Sequence, residues 1–340
     1  MEGQRTLYPQ LHLIANRVKI LRLSYLLTDH TQNCRLRSAA LTQLHSQLVA
    51  LITEGQNFTT LPTPPSASRL ITRGTTTTKM SPVSDVADGD TGDLFQDPED
   101  YYPPTPPPTS SSHTLASGRV LTLHLVGYSP TEAHHLWNGS RVVSDYFEAE
   151  PSRVKGKTML ELGAGAGLPS LTAGILGAEK VVVTDFPDVD IVQTMQKNVD
   201  EAGDLEGIVK PLGYVWGADV EPLLAELPER DGKKRKFDVL VLADLLFRHS
   251  EHGKLVDTIE KALERKKDAV AYVFFTSYRP WLRHKDLAFF DVVRKRGLLV
   301  EQVIDRRMEK PLFEGDPGDL EIQKTVGGYE VRWPEELLEG

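Results

Sequence analysis

From about Leu115 to the C-terminus, apolar positions fall into short, regular blocks separated by polar and glycine-containing turns. Arg119–Val126 alternates in the manner of a half-buried strand, and Glu132–Glu148 has the spacing of a helix carrying Leu136, Trp137, Val142, Val143, Tyr146 and Phe147. Apolar runs at 158–162, 180–184, 237–243, 270–276 and 298–303 predict strands, with a shorter one starting at Ile208. Between them, 170–176, 189–202, 251–266 and 285–295 carry helical periodicity. Strands alternating with helices predict an α/β fold built on a parallel sheet covered on both faces. Tyr329–Trp333 reads as a last strand reached through the charged loop 309–319, which predicts an antiparallel hairpin at one edge. The expectation is a seven-stranded, mostly parallel sheet in one domain, residues 115–340.

Upstream of that domain the pattern is different. Residues 1–80 carry nine Lys/Arg against three Asp/Glu, whereas 81–115 carry no Lys/Arg and seven Asp/Glu. The switch at Met80 suggests that translation begins there, with 1–79 a basic segment that is disordered or an upstream extension of the gene prediction; its arginine-dotted, acid-poor composition also fits a transit peptide less well. Residues 80–114 are expected to form an acidic, proline-rich arm, since 60–115 hold ten of the 22 prolines and too little apolar surface to offset ordering entropy. Within the arm, 93–102 mixes acids with Leu94, Phe95, Tyr101 and Tyr102, as a solvated linker or a clasp for a basic peptide would.

Composition removes several function classes. No stretch of the 340 residues approaches the length of apolar chain that a membrane span needs, and Cys34 is the only cysteine, so there is neither an intrachain disulfide nor a cysteine-cluster zinc site. A net charge of −9 argues against a nucleic-acid coat and for a small or basic partner. His134-His135 are expected to point to opposite sides and His249-x-x-His252 lacks a third ligand, so no metal is expected.

Chemistry concentrates after the first parallel strand. Thr158 to Ser170 (TMLELGAGAGLPS) is an apolar strand, a glycine-rich turn and a helix start marked by Pro169. A ligand approaches the backbone at such a turn. The spacing is Gly163-x-Gly165-x-Gly167, preceded by Glu161, rather than the G-x-G-x-x-G of a dinucleotide site. An acid beside the turn suits a cofactor that is cationic there. The next strand ends in Asp185, 22 residues after Gly163, where a carboxylate can accept from both hydroxyls of a ribose. Trp216 follows the short third strand, and Ala243 and Asp244 end the fourth.

Together with Leu94-Phe95, Pro98 to Tyr101, Leu125-Val126-Gly127, Ser129-Pro130, His135 to Asn138, Tyr214 to Gly217, Asp244 to Phe247, His249 to His252 and Arg279-Pro280-Trp281, these motifs resemble the fungal protein methyltransferases that modify the N-terminus of translation elongation factor 1-alpha. The resemblance implies a class I S-adenosylmethionine-dependent methyltransferase. It puts Trp137, Gly163, Ala164, Gly165, Asp185, Trp216 and Ala243 on S-adenosyl-L-methionine, and Asp244 and Phe247 beside the acceptor amine, with Asp244 orienting it. It further implies a cytoplasmic monomer that takes elongation factor 1-alpha as protein substrate, at its N-terminal amine with an adjacent lysine as second candidate, and that works on neither nucleic acid nor membrane. The chain departs from the family pattern on the acceptor side, with Thr131-Glu132-Ala133 for Leu-Trp-Gly and Arg248 for asparagine. The alternatives are a small-molecule, nicotinamide-type N-methyltransferase, a binding-only relative of this fold, and an NAD-dependent reductase that the glycine spacing disfavours.

Overall fold

In the computed structural model of this chain, residues 105–229, 232 and 234–339 are described. The expectations for residues 1–104 lie outside them. In chain order the elements are β1 (Thr109–Thr114), β2 (Val120–Leu125), α1 (Asn138–Ala149), β3 (Thr158–Leu162), α2 (Leu168–Ile175), β4 (Lys180–Asp185), α3 (Val189–Glu201), β5 (Val209–Gly213), α4 (Glu221–Leu224), β6 (Val239–Ala243), α5 (His252–Ala262), β7 (Val270–Thr276), α6 (Arg283–Lys295), β8 (Leu299–Arg307), α7 (Leu320–Lys324) and β9 (Thr325–Arg332).

Seven strands form one sheet in the order β5-β4-β3-β6-β7-β9-β8. The first five run parallel, and β9 lies antiparallel to both β7 and β8. The expected edge hairpin is therefore present. Because helices cover both faces, the central strands are buried at every position: all five residues of β3, all five of β6 and all seven of β7. Alternate side chains feed two cores. Met159, Val181, Val241 and Phe274 pack toward one face, and Leu160, Val182, Leu242 and Phe275 toward the other. After β3 the chain crosses to β4 on one side, and β6 pairs on the other side of β3, so a crevice opens at the carboxyl ends of β3 and β6.

Element ends shift by up to four residues elsewhere, as where the last strand starts at Thr325 and the helix from His252 stops at Ala262, but two boundaries differ more. The helix predicted from Glu132 begins at Asn138. Glu132 is held at φ 66, a left-handed conformation that a helix cannot contain, and its carbonyl accepts the Trp137 indole N–H at 3.0 Å. Residues 132–137 therefore form an arch over the crevice rather than a first turn. The folded unit also begins before 115: Thr109–Thr114, expected inside the extended arm, pair in register with β2 from Thr109↔Leu125 to Thr114↔Val120. Ser111 and Ser112 receive the Arg141 guanidinium, and the serine and threonine side chains of β1 need no core of their own because Leu121, Leu123 and Leu125 of β2 supply it. Each fully buried leucine of this kind contributes about 1.5 to 3 kcal/mol.

Candidate active site

The glycine turn is shaped by backbone conformation. Gly163, Gly165 and Gly167 have φ of 58°, 54° and 76°, which side chains rarely tolerate. A methyl group on Gly163 would sit 2.5 Å from Leu245 Cδ2 and 3.0 Å from Trp216 Cζ2. The Ala164 amide donates to Thr184 O at 2.9 Å, binding the turn to β4. Asp185 completes it: its Oδ2 accepts the Gly165 amide at 2.7 Å and its Oδ1 the Phe186 amide at 2.6 Å. Burial nevertheless pushes the Asp185 carboxyl up to about 6.

Glu161 lies under the same turn and is 1% exposed. One oxygen, Oε2, accepts the Ser170 amide at 2.9 Å and the Ser170 hydroxyl, whereas Oε1 has no hydrogen-bond partner among the described residues. Burial pushes this carboxyl up to about 8. A buried acid with one idle oxygen is costly without a ligand and receptive to a cation.

On the β6 side, Ala243 ends its strand and Asp244 adopts φ 54. Asp244 is sequestered: Oδ1 accepts the Thr276 amide at 2.7 Å, and Oδ2 accepts the Gly139 amide at 2.5 Å and the Tyr278 hydroxyl at 3.4 Å. Burial pushes it up to about 7. It ties the start of α1 to the end of β7 and holds the Tyr278 hydroxyl, which in turn accepts the Asn138 amide at 3.3 Å. Trp137 stacks on Phe247 at 5.8 Å and 19°, and Arg248 lies over the Phe247 ring at 5.4 Å, so Phe247 backs Trp137. Tyr278 and Phe313 meet Trp137 edge to face at 5.1 and 5.7 Å.

The two halves of the crevice touch where the 132–137 arch passes the glycine turn, since a methyl group on Gly165 would lie 3.5 Å from Ala133 O. Gly163, Ala164, Gly165, Asp185 and Trp216 thus gather on one side, and Trp137, Ala243, Asp244 and Phe247 on the other. Sequence reading missed Tyr278 and Phe313. Tyr278 directly precedes the Arg279-Pro280-Trp281 motif and was within reach, whereas Phe313 stands in a charged loop with no local signal.

The histidines need one correction. His134 and His135 do not point to opposite sides; their rings lie 4.1 Å apart, because the arch leaves no strand alternation there. Glu132 joins them within 4.8 Å. His134 Nδ1 accepts the Ser129 amide at 3.3 Å, which leaves its Nε2 as the protonated atom facing Glu132. His249 is bonded to Asp286 at 2.7 Å and His252 to Leu246 O at 2.8 Å.

The family profile described as lysine methyltransferase matches residues 121–296, from β2 through the end of α6. The chain belongs to the lysine methyltransferase family. Among curated relatives, a protein N-terminal and lysine N-methyltransferase EFM7 of Gibberella zeae is 62% identical over 253 residues, covering 72% of this chain and 96% of the relative. Its Neurospora crassa counterpart is 57% identical over 261 residues, covering 74% and 92%. The Schizosaccharomyces pombe counterpart is 38% identical over 245 residues, covering 71% and 95%. The chain is accordingly a protein methyltransferase with the class I fold, as the glycine turn and strand order imply. The residues present fit S-adenosylmethionine: a cradle that a methyl on Gly163 would fill, the idle oxygen of Glu161 for a cationic group, and no lysine or arginine from 158 to 170 to invite a phosphate. Among the described residues, no helix is long and apolar enough to cross a membrane.

Proposed function

We propose that this methyltransferase uses S-adenosyl-L-methionine to methylate the N-terminal amine of translation elongation factor 1-alpha, with an adjacent lysine as a second acceptor, and that it does so as a cytoplasmic monomer. The observation that carries the reading is the divided crevice. A glycine turn over two buried acids lies on one side, and the crossed rings of Trp137, Tyr278 and Phe313 lie on the other. The relatives' names, which specify N-terminal and lysine acceptors, support a protein amine over nicotinamide.

In this reading Gly163, Ala164 and Gly165 leave room for the cofactor, Glu161 Oε1 receives its ammonium, the free lone pairs of Asp185 receive its ribose hydroxyls, and Trp216, Trp137 and Ala243 wall it. When bound, S-adenosylmethionine supplies an electrophilic methyl carbon and keeps the electron pair of the broken carbon–sulfur bond. The protein's task is to present a neutral amine in line with that carbon. An α-amine, with a pKa of roughly 7.7 to 8.0, is partly neutral near pH 7.5, and lysine at roughly 10.4 is not. The N-terminal amine is thus the easier acceptor. Asp244 acts here as a positioning residue, holding the Tyr278 hydroxyl and the start of α1.

The test is transfer of labelled methyl by the full chain to elongation factor 1-alpha and to nicotinamide in parallel, with Asp185→Ala as control. Label on the amino-terminal peptide, lost in the variant, is the expected result. Label on nicotinamide alone would replace this reading with the small-molecule one.

A further inference from the structure

The family profile ends at residue 296, and the crevice does not. Beyond β8, the loop 308–319 returns to the carboxyl end of the sheet and sets Phe313 against three residues of the site. Its ring lies 5.7 Å from Trp137 at 76°, 5.6 Å from Tyr278 at 71° and 5.1 Å from His135 at 79°. Trp137 and Tyr278 cross at 62° and 5.1 Å, so the three large rings are mutually crossed, as in the corner of a box.

The loop is pinned to hold this position. The Met308 amide donates to Lys324 O at 2.8 Å, and the Gln323 side chain, 2% exposed, donates to both Pro317 O at 3.0 Å and Tyr278 O at 3.3 Å. Gly318, at φ 120, packs against Pro280, where a methyl group would lie 3.0 Å from Cγ. A buried glutamine and a glycine in a conformation that side chains rarely adopt thus fix an otherwise charged, solvent-facing loop at the segment that carries Tyr278.

We propose that Phe313 is a specificity-determining residue that forms the outer wall of the acceptor site, so that the loop 308–319, outside the family-matched segment, selects the amine. The inference rests on the acceptor placement given under Proposed function. Its physical basis is charge. As the nitrogen lone pair forms the new nitrogen–carbon bond, the carbon–sulfur pair leaves with sulfur, and positive charge arrives on nitrogen before its proton passes to solvent. Crossed aromatic rings meet that charge and the methyl groups together, whereas the Asp244 carboxylate behind Tyr278 has both oxygens committed to backbone amides.

The experiment uses full-length Phe313→Ala, Phe313→Leu and Phe313→Tyr. Calorimetry measures binding of tetramethylammonium, the probe for the wall, and of S-adenosylhomocysteine; methyl transfer to elongation factor 1-alpha gives acceptor KM. Phe313→Ala is expected to weaken tetramethylammonium binding and raise acceptor KM at least five-fold, with S-adenosylhomocysteine affinity within two-fold. Phe313→Tyr stays within two-fold of the parent, and Phe313→Leu falls between, since it keeps bulk without a ring face. Unchanged tetramethylammonium affinity and KM in Phe313→Ala, no tetramethylammonium binding by the parent protein, or an equal loss of S-adenosylhomocysteine affinity would each overturn the wall. A parent protein that binds tetramethylammonium through Phe313 but leaves the elongation factor unlabelled would keep the wall and remove the proposed substrate.

Discussion

At the scale of single residues, the crevice is governed by three carboxyl groups that burial has made reluctant to ionise: Asp185 at about 6, Asp244 at about 7 and Glu161 at about 8. Their unfolded forms ionise at ordinary carboxyl values, so between about pH 4 and 8 the folded protein binds more protons than the unfolded chain. Stability of the cofactor-free protein from this source is complete below that window and is lost as pH rises through it. Urea midpoints should therefore fall from pH 5 to pH 8, and Glu161→Gln should flatten the upper part of the fall; an unchanged slope in that variant would remove Glu161 from the account. Asp185→Asn replaces an acceptor of two amides with a group that must turn a donor toward one of them. Cofactor affinity by calorimetry is expected to drop at least ten-fold, about 1.4 kcal/mol, and a change under two-fold would contradict the placement of Asp185.

At the scale of elements, two close approaches decide how the site is assembled. Gly139 sits in the first turn of α1, where a methyl group would lie 2.6 Å from Asp244 Oδ2 and 2.9 Å from Phe274 O. Gly139→Ala must push α1 off the ends of β6 and β7, at a cost of about 1 to 3 kcal/mol in urea unfolding, with acceptor KM raised more than cofactor affinity is lowered. Asn198 of α3 is the second. Its side chain exchanges hydrogen bonds with the His124 backbone at 2.7 and 3.0 Å and donates to Ala166 O in the glycine turn at 3.0 Å. Asn198→Ala leaves buried backbone groups unmatched, and roughly 2 to 3 kcal/mol should be lost, together with cofactor affinity. A loss of stability with unchanged cofactor affinity would show that α3 supports the hairpin and not the turn.

At the scale of the whole molecule, the strands, their mostly parallel sense and the glycine turn were legible in the sequence, because each is marked by local composition. Apolar runs of five to seven residues mark the doubly covered strands β3, β6 and β7, and the glycine spacing with Glu161 and Asp185 marks the turn at the end of β3. Parallel strands hidden on both faces are mostly apolar, so that Glu161 stands out in β3, and a run of left-handed positions such as 163, 165 and 167 favours glycine. What the chain's order did not reveal is where distant segments meet. Only the folded structure turns 132–137 from the front of a helix into an arch, since the cause is a left-handed Glu132 and an indole that bonds backward. Only the fold brings β1 out of a proline-rich stretch and onto β2, where the partner strand supplies the apolar face. Asp244 looked free for an amine because nothing in its neighbourhood announces Gly139 and Thr276, which are 105 and 32 residues away in sequence. Phe313 reaches Trp137 in the same way, from a loop whose charged composition hides the one ring that matters. Local conformation is dictated by nearest neighbours and can be read residue by residue, whereas the side of the crevice around Trp137, Tyr278 and Phe313 is made of long-range contacts whose existence depends on the packed sheet that brings them together.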